Sequence, residues 1–173
     1  RFTKNSSSIK RDWSAEKNKI MKSNITATSK RARIKARRNT VQALYEWFMT
    51  GKNVSEVIAE FESDEQTLAK TDVEYFKLLL RGTIKYSTEL DLRISSLIDR
   101  PVNELDAIER AILHIGCYEL KYHLEIPWRI VVNESIELAK IFGAEQSYKY
   151  INGILDKVAK ELRSIEISNA SQS

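Results

Sequence analysis

Three observations predict an all-α fold of about seven helices. Apolar residues recur at i, i+3, i+4 and i+7 along several stretches, and no stretch of useful length alternates with period two. Gly and Pro number only 5 and 2 in 173 residues, too few for a turn-rich β fold or a glycine cradle for phosphate. Helix-capping sequences punctuate the chain at regular intervals. Apolar residues make up 42% of the chain, enough for a sizeable core in one domain.

Residues 1–29 are rich in Ser, Asn, Lys and Thr and show no sustained period, so they are expected to form a disordered or weakly ordered arm. The folded domain is expected over residues 30–163. Its first helix should run from about Lys30 to Thr50 and stop at Gly51. Asn53-Val-Ser-Glu56 reads as a capping box for a short second helix with Val57, Ile58 and Phe61 on its apolar side. Ser63 to Lys70 is polar and reads as a loop. Thr71-Asp-Val-Glu74 is a second capping box, followed by Tyr75, Phe76, Leu79, Leu80 and Ile84. The pattern continues to Ile98, too far for one helix, so a break is expected near Tyr86 to Thr88. Pro101 ends that part.

Asn103-Glu-Leu-Asp106 starts a further helix in the same way. It is apolar on most sides from Ile108 to Leu120, and Gly116 allows close approach, so it is the expected central buried helix, ending near His123. Pro127 suits the first position of the next helix, which Gly143 closes. A last helix is expected from about Glu145 to Leu162. Gly153 inside it costs about 1 kcal/mol relative to Ala, which a close helix crossing would explain. The segment 164–173 is expected to be a polar tail that frays.

Charge is distributed unevenly. Residues 1–50 hold thirteen Lys/Arg and three Asp/Glu, a net of +10; residues 51–173 hold fifteen and twenty-one, a net of −6. Six of the cations fall in nine residues: Lys30, Arg31, Arg33, Lys35, Arg37 and Arg38. The same helix then carries Val41, Leu44, Tyr45 and Phe48, so one half is anchored while the other presents guanidinium groups. Arginine forks match phosphate and stack on bases, which points to a nucleic-acid contact. Tyr45 follows the cluster, and Tyr148 and Tyr150 flank Lys149 in the last helix. Cations on phosphates with rings on bases suit single-stranded RNA, each stack contributing about 1–3 kcal/mol. Exposed cations contribute little to folding, so replacing Arg37 and Arg38 by Ala should weaken RNA binding and leave the melt nearly unchanged.

No catalytic constellation is evident. His114 and Cys117 are half of a zinc site at most, because the chain has one Cys and two His; a partly buried His and a small apolar Cys explain them better. Carboxylate pairs such as Glu134 with Glu137 read as solvated helix faces. The chain is expected not to be an enzyme and to need no cofactor or metal. The single Cys117 excludes an internal disulfide and suits a reducing compartment, no apolar run reaches a membrane span, and the N-terminal residues lack a signal-peptide core. A cytoplasmic location and no membrane partner are expected.

Several motifs, in order, resemble the bacterial NusB family: Arg37-Arg-Asn-Thr-Val-Gln-Ala-Leu-Tyr-Glu-Trp47, Asp72-Val-Glu-Tyr-Phe76 with Leu80-Arg-Gly82, Glu109 to Leu120, Val132 to Lys140, Phe142-Gly-Ala-Glu145, and Tyr150-Ile-Asn-Gly-Ile-Leu-Asp-Lys157. The match spans roughly residues 31–163. The resemblance implies two packed three-helix-type subdomains and a role in transcription antitermination. It implies binding of a boxA RNA element of ribosomal RNA leader transcripts together with the ribosomal protein that acts as NusE, and entry into the RNA polymerase elongation complex with other Nus factors. On matched positions it assigns RNA contact to Arg31, Arg33, Arg37, Arg38, Tyr45, Gln146 and Tyr150, beside Lys30, Lys35 and Lys149 from the charge pattern. It assigns the NusE-type partner to Glu109, and it leaves a homodimer open. Two rival readings stand beside it: a helical protein-interaction module with a solubilising arm, and the NusB-like domain of an rRNA methyltransferase, although the chain as given holds no methyltransferase segment.

Overall fold

The computed structural model describes residues 13–173 and is all-helical over them. The helices are α1 (Trp13–Thr50), α2 (Val54–Ser63), α3 (Val73–Lys85), α4 (Ser87–Ser95), α5 (Ala107–Tyr122), α6 (Trp128–Phe142), α7 (Ser147–Leu162) and α8 (Ser164–Ser171), with a 3₁₀ turn at Val102–Glu104. Helices α1, α2 and α3 pack as one group, and α5, α6 and α7 as a second, with α4 laid on α5. The groups meet where α1 and α3 pack on α5.

Helix α5 is the centre, as expected. Every residue from Ala111 to Leu120 is buried, because this helix has neighbours on all sides. Its Gly116 is required by close packing: a Cβ there would lie 2.8 Å from a methyl of Leu155 and 3.0 Å from the Ser135 hydroxyl. The break at Tyr86 is present, since α3 ends at Lys85 and α4 begins at Ser87. Gly51 follows α1 with φ +65°, a left-handed conformation that glycine adopts without strain.

Several boundaries differ from expectation. Helix α1 starts at Trp13, not near Lys30. No Gly or Pro interrupts the stretch, and a helix running through solvent needs no apolar stripe to persist. Residues 1–12 of the expected arm lie outside the described residues. An aspartate further along each motif, not its first polar residue, caps α3 and α5. Asp72 accepts from Tyr75 N, while the Thr71 hydroxyl accepts from the Asn39 amide. Asp106 accepts from Ile108 N and Glu109 N, and Asn103 sits in the 3₁₀ turn. Pro127 precedes α6 as its N-cap rather than opening it.

The segment expected to fray is helix α8. Glu166 on it accepts from Trp128 N (3.0 Å) and from Arg163 Nη1 (2.6 Å), which ties it to the start of α6. Buried Arg163 also donates to the carbonyls of Leu120 (2.6 Å), Ile126 (3.1 Å), His123 (3.0 Å) and Glu119 (3.3 Å). One guanidinium thereby closes the C-terminal end of α5. At Gly153 a Cβ would meet nothing within 4 Å, so no helix crossing explains that glycine.

Candidate nucleic-acid interface

The basic segment of α1 divides between two faces. Arg31, Lys35, Arg38, Gln42, Tyr45 and Met49 follow one another at steps of three or four residues and share one face. All but Lys35 are exposed there, Tyr45 by 43% and Met49 by 57%. Arg33 and Arg37 lie on the other side, toward α3 and α5. Arg37 is only 5% exposed and is therefore not the solvent-facing cation expected from the charge run.

Arg37 is a structural residue. Its Nε donates to both carboxylate oxygens of Glu119 (2.9 and 3.1 Å), and its Nη2 to one of them (2.8 Å). The Tyr75 hydroxyl donates to the same carboxylate. Burial works against the charge on Arg37, but the hydrogen bonds and charge of Glu119 outweigh it and hold the guanidinium well above its usual pKa range. Burial, with the Glu119 charge, pushes the Tyr75 phenol up, so it stays a donor. A signal for this was present in the sequence: Arg37 precedes Val41 by four residues and so continues the buried stripe of Val41 and Leu44. Arg33 is also partly engaged. It lies 4.5 Å over the Tyr75 ring and 3.7 Å from Asp72.

Beside the exposed face of α1 is a cleft of about 590 Å³, closed by the α2–α3 loop and the end of α6. Arg31, Lys35, Arg38 and Lys70 line it over a floor of Ile34, Ile141 and Phe142, with the amides of Asn39 and Gln42. Among the described residues no carboxylate lines it, unlike the neighbouring cleft at Lys30, which holds Glu125 and Glu134. Lys70 was missed in the sequence because it is remote from the basic run and sits in a polar loop.

The turn from α6 to α7 adds further groups. Gln146 is exposed and adopts a left-handed conformation (φ 71°). Lys140 (5.4 Å) and exposed Lys149 (6.0 Å) both lie over the Tyr148 ring. Tyr150 is half-buried, Arg100 covers one face of its ring at 5.4 Å, and its hydroxyl is buried without a hydrogen-bond partner among the described residues. Arg100 also acts on Glu109, in the first turn of α5. Burial raises the Glu109 carboxyl above the usual range, as does the charge of Asp106, while Arg100 opposes them. Arg100 thus stands over the Tyr150 ring and within electrostatic reach of Glu109.

The residues weighed as a half zinc site are used otherwise. His114 Nε2 lies 2.7 Å from Asp91, which also receives Arg110, and Cys117 is fully buried with its thiol pushed up to about 12. Among the described residues no group of three or more His, Cys, Asp or Glu is placed to hold a metal ion, and no helix is long and apolar enough to cross a membrane.

The model of the NusB family matches residues 34–160. The transcription antitermination protein NusB of Alcanivorax borkumensis is 50% identical over 137 residues, covering 79% of this chain and 91% of that protein. The protein of the same name from Thiobacillus denitrificans is 46% identical over 137 residues, covering 79% and 94%. Among solved structures, NusB of T. maritima superposes with a TM-score of 0.65 at 30% identity, covering 75% of this chain and 91% of that one. A chain from a crystal structure of antitermination factors NusB and NusE in complex with dsRNA gives 0.64 at 26% identity, covering 76% and 98%. These relatives carry the names of transcription factors rather than of enzymes, which agrees with the absence of catalysis expected from the sequence. With a family model over most of the chain and close relatives along nearly their whole length, the chain belongs to the NusB family.

Proposed function

We propose that this chain is an antitermination factor that binds boxA-type single-stranded RNA together with a NusE-type ribosomal protein and joins the RNA polymerase elongation complex with other Nus factors. The observation that carries the RNA part is the exposed α1 face, where Arg31 and Arg38 stand in line with Gln42 and Tyr45 beside a cleft lined by cations and, among the described residues, by no carboxylate. Lys30, Lys149 and neutral Gln146 extend the surface, and the tyrosines of α7 supply further rings. Arg37 is withdrawn from this set because Glu119 holds it inside the fold. Glu109 is the proposed partner contact; its half-buried carboxylate suits a basic ribosomal protein.

The test is a titration with boxA RNA and a scrambled RNA of equal length, with and without the NusE-type protein. Tighter boxA binding, sharpened by the partner, is expected. Lys30, Arg31, Arg38 and Lys149 provide four phosphate contacts, so log affinity should fall against log salt with a slope of about −3 or steeper. Equal binding of both RNAs with a flat slope would leave a protein-interaction module. Glu109→Lys should weaken association with the NusE-type protein on the order of tenfold or more and spare RNA binding by the chain alone. Unchanged association would place the partner elsewhere.

A further inference from the structure

The α2–α3 loop reaches the cleft through a residue of unusual backbone conformation. Lys70 has φ +57°, a left-handed conformation that few residues other than glycine adopt. Side chains from α1 hold the loop in that shape. Lys35 Nζ donates to the Ala69 carbonyl, and the Asn39 amide donates to the Thr67 carbonyl (3.2 Å) and the Thr71 hydroxyl (3.1 Å). Asp72 N donates to the Ala32 carbonyl of α1 (3.1 Å). The strained residue is therefore over-determined by its surroundings, and its exposed side chain lines the cleft opposite Arg31 and Arg38.

We propose that this cleft takes one unpaired nucleotide of the bound RNA, with Lys70 on its phosphate and Gln42 on the edge of its base. The inference rests on the RNA-binding reading above. The volume, about 590 Å³, lies within the range of small-ligand sites. The charges are of one sign and stand on two walls, as a phosphate between them requires. The floor of Ile34, Ile141 and Phe142 is apolar with one ring, which suits a base face rather than a second phosphate. Gln42 is exposed and lies one turn from both Arg38 and Tyr45 on the same helix face. Its amide both donates and accepts, so it can pair with a base edge that a stacked duplex keeps inside. Asn39 cannot donate as freely, because its amide nitrogen is already committed to the loop.

The experiment uses the full chain and a labelled boxA RNA, with the duplex of the same sequence as competitor, and compares wild type, Lys70→Gln, Gln42→Ala and Arg38→Gln after checking that each melts like wild type. Lys70→Gln is expected to weaken single-strand binding and make the salt slope shallower by about 0.7, the value of one phosphate contact on a single strand. Gln42→Ala is expected to reduce discrimination between boxA and scrambled RNA about two- to tenfold, the range of one hydrogen bond, with the salt slope unchanged. Wild-type affinity and slope in Lys70→Gln, with Arg38→Gln weakened, would overturn the cleft proposal and leave the RNA surface on α1 alone. Equal sensitivity of duplex and single-strand binding to Lys70→Gln would overturn the unpaired nucleotide. Failure of the wild type to bind either RNA would remove the RNA-binding reading itself.

Discussion

Replacing Arg37 by alanine is expected to lower the stability of the fold by about 3–5 kcal/mol, the cost of leaving a buried ion without its partner. The carboxylate left behind, Glu119, is 1% exposed on α5 and would retain only the Tyr75 hydroxyl as a donor. The neighbouring Arg38→Ala is expected to change stability by less than about 0.5 kcal/mol, because that side chain lies in solvent. Urea unfolding of the two variants reads the contrast directly. A third variant separates charge from packing: Arg37→Leu combined with Glu119→Leu removes the ion pair as a unit and should recover much of the loss. If Arg37→Ala cost no more than Arg38→Ala, water would have to reach Glu119 and the pair would be peripheral to folding. The RNA affinity of Arg37→Ala, measured well below its melting temperature, should stay near wild type. The charge run alone would treat these two arginines alike.

Arg163→Leu is the second large effect. The side chain donates to four main-chain carbonyls and one carboxylate. Glu119 and His123 carbonyls keep other donors, His123 N and Ile126 N respectively, but those of Leu120 and Ile126 depend on Arg163. A buried acceptor left without a partner costs about 1–3 kcal/mol, so losing two predicts about 2–6 kcal/mol. Glu166 would lose its guanidinium and keep only Trp128 N, so α8 should loosen before the rest of the fold. Hydrogen exchange gives the readout: amides of α8 and the last turn of α5 should exchange faster in Arg163→Leu, while those of α2 and α3 stay protected. Uniform acceleration would show that α8 is not a separate unit.

The helix set was legible where periodicity and punctuation agreed. Helix α5 could be read as central because apolar residues cover all its sides, and the α3–α4 break because one pattern ran too long. Boundaries were less legible. At α3 and α5 several residues able to cap stand together, and only the three-dimensional path decides that Asp72 and Asp106 do so. The extension of α1 to Trp13 leaves no apolar signature because it is largely solvent-facing. In the candidate site the exposed α1 stripe followed from helical spacing. The same spacing puts Arg37 on the buried stripe, but its partner Glu119, eighty-two residues away, leaves no local signal. Lys70 joins the cleft through a loop whose conformation no local sequence rule specifies. The spacing pairs Tyr150 with Lys149, whereas the cation over its ring is Arg100, from a distant turn.

The Arg37–Glu119 fork also sets the rotational phase of α1. Arg37 and Arg38 are adjacent, so their side chains diverge by about 100° around the axis, and fixing one inward fixes the other outward. Arg38 and Tyr45 are then aligned only because seven residues, close to two turns, separate them. Inserting or deleting one residue between them would swing Tyr45 away from the cations or pull Arg37 out of its socket. The spacing within this segment is therefore as constrained as its composition: α1 can exchange many of its exposed side chains, but it cannot change its length between the fork and the ring.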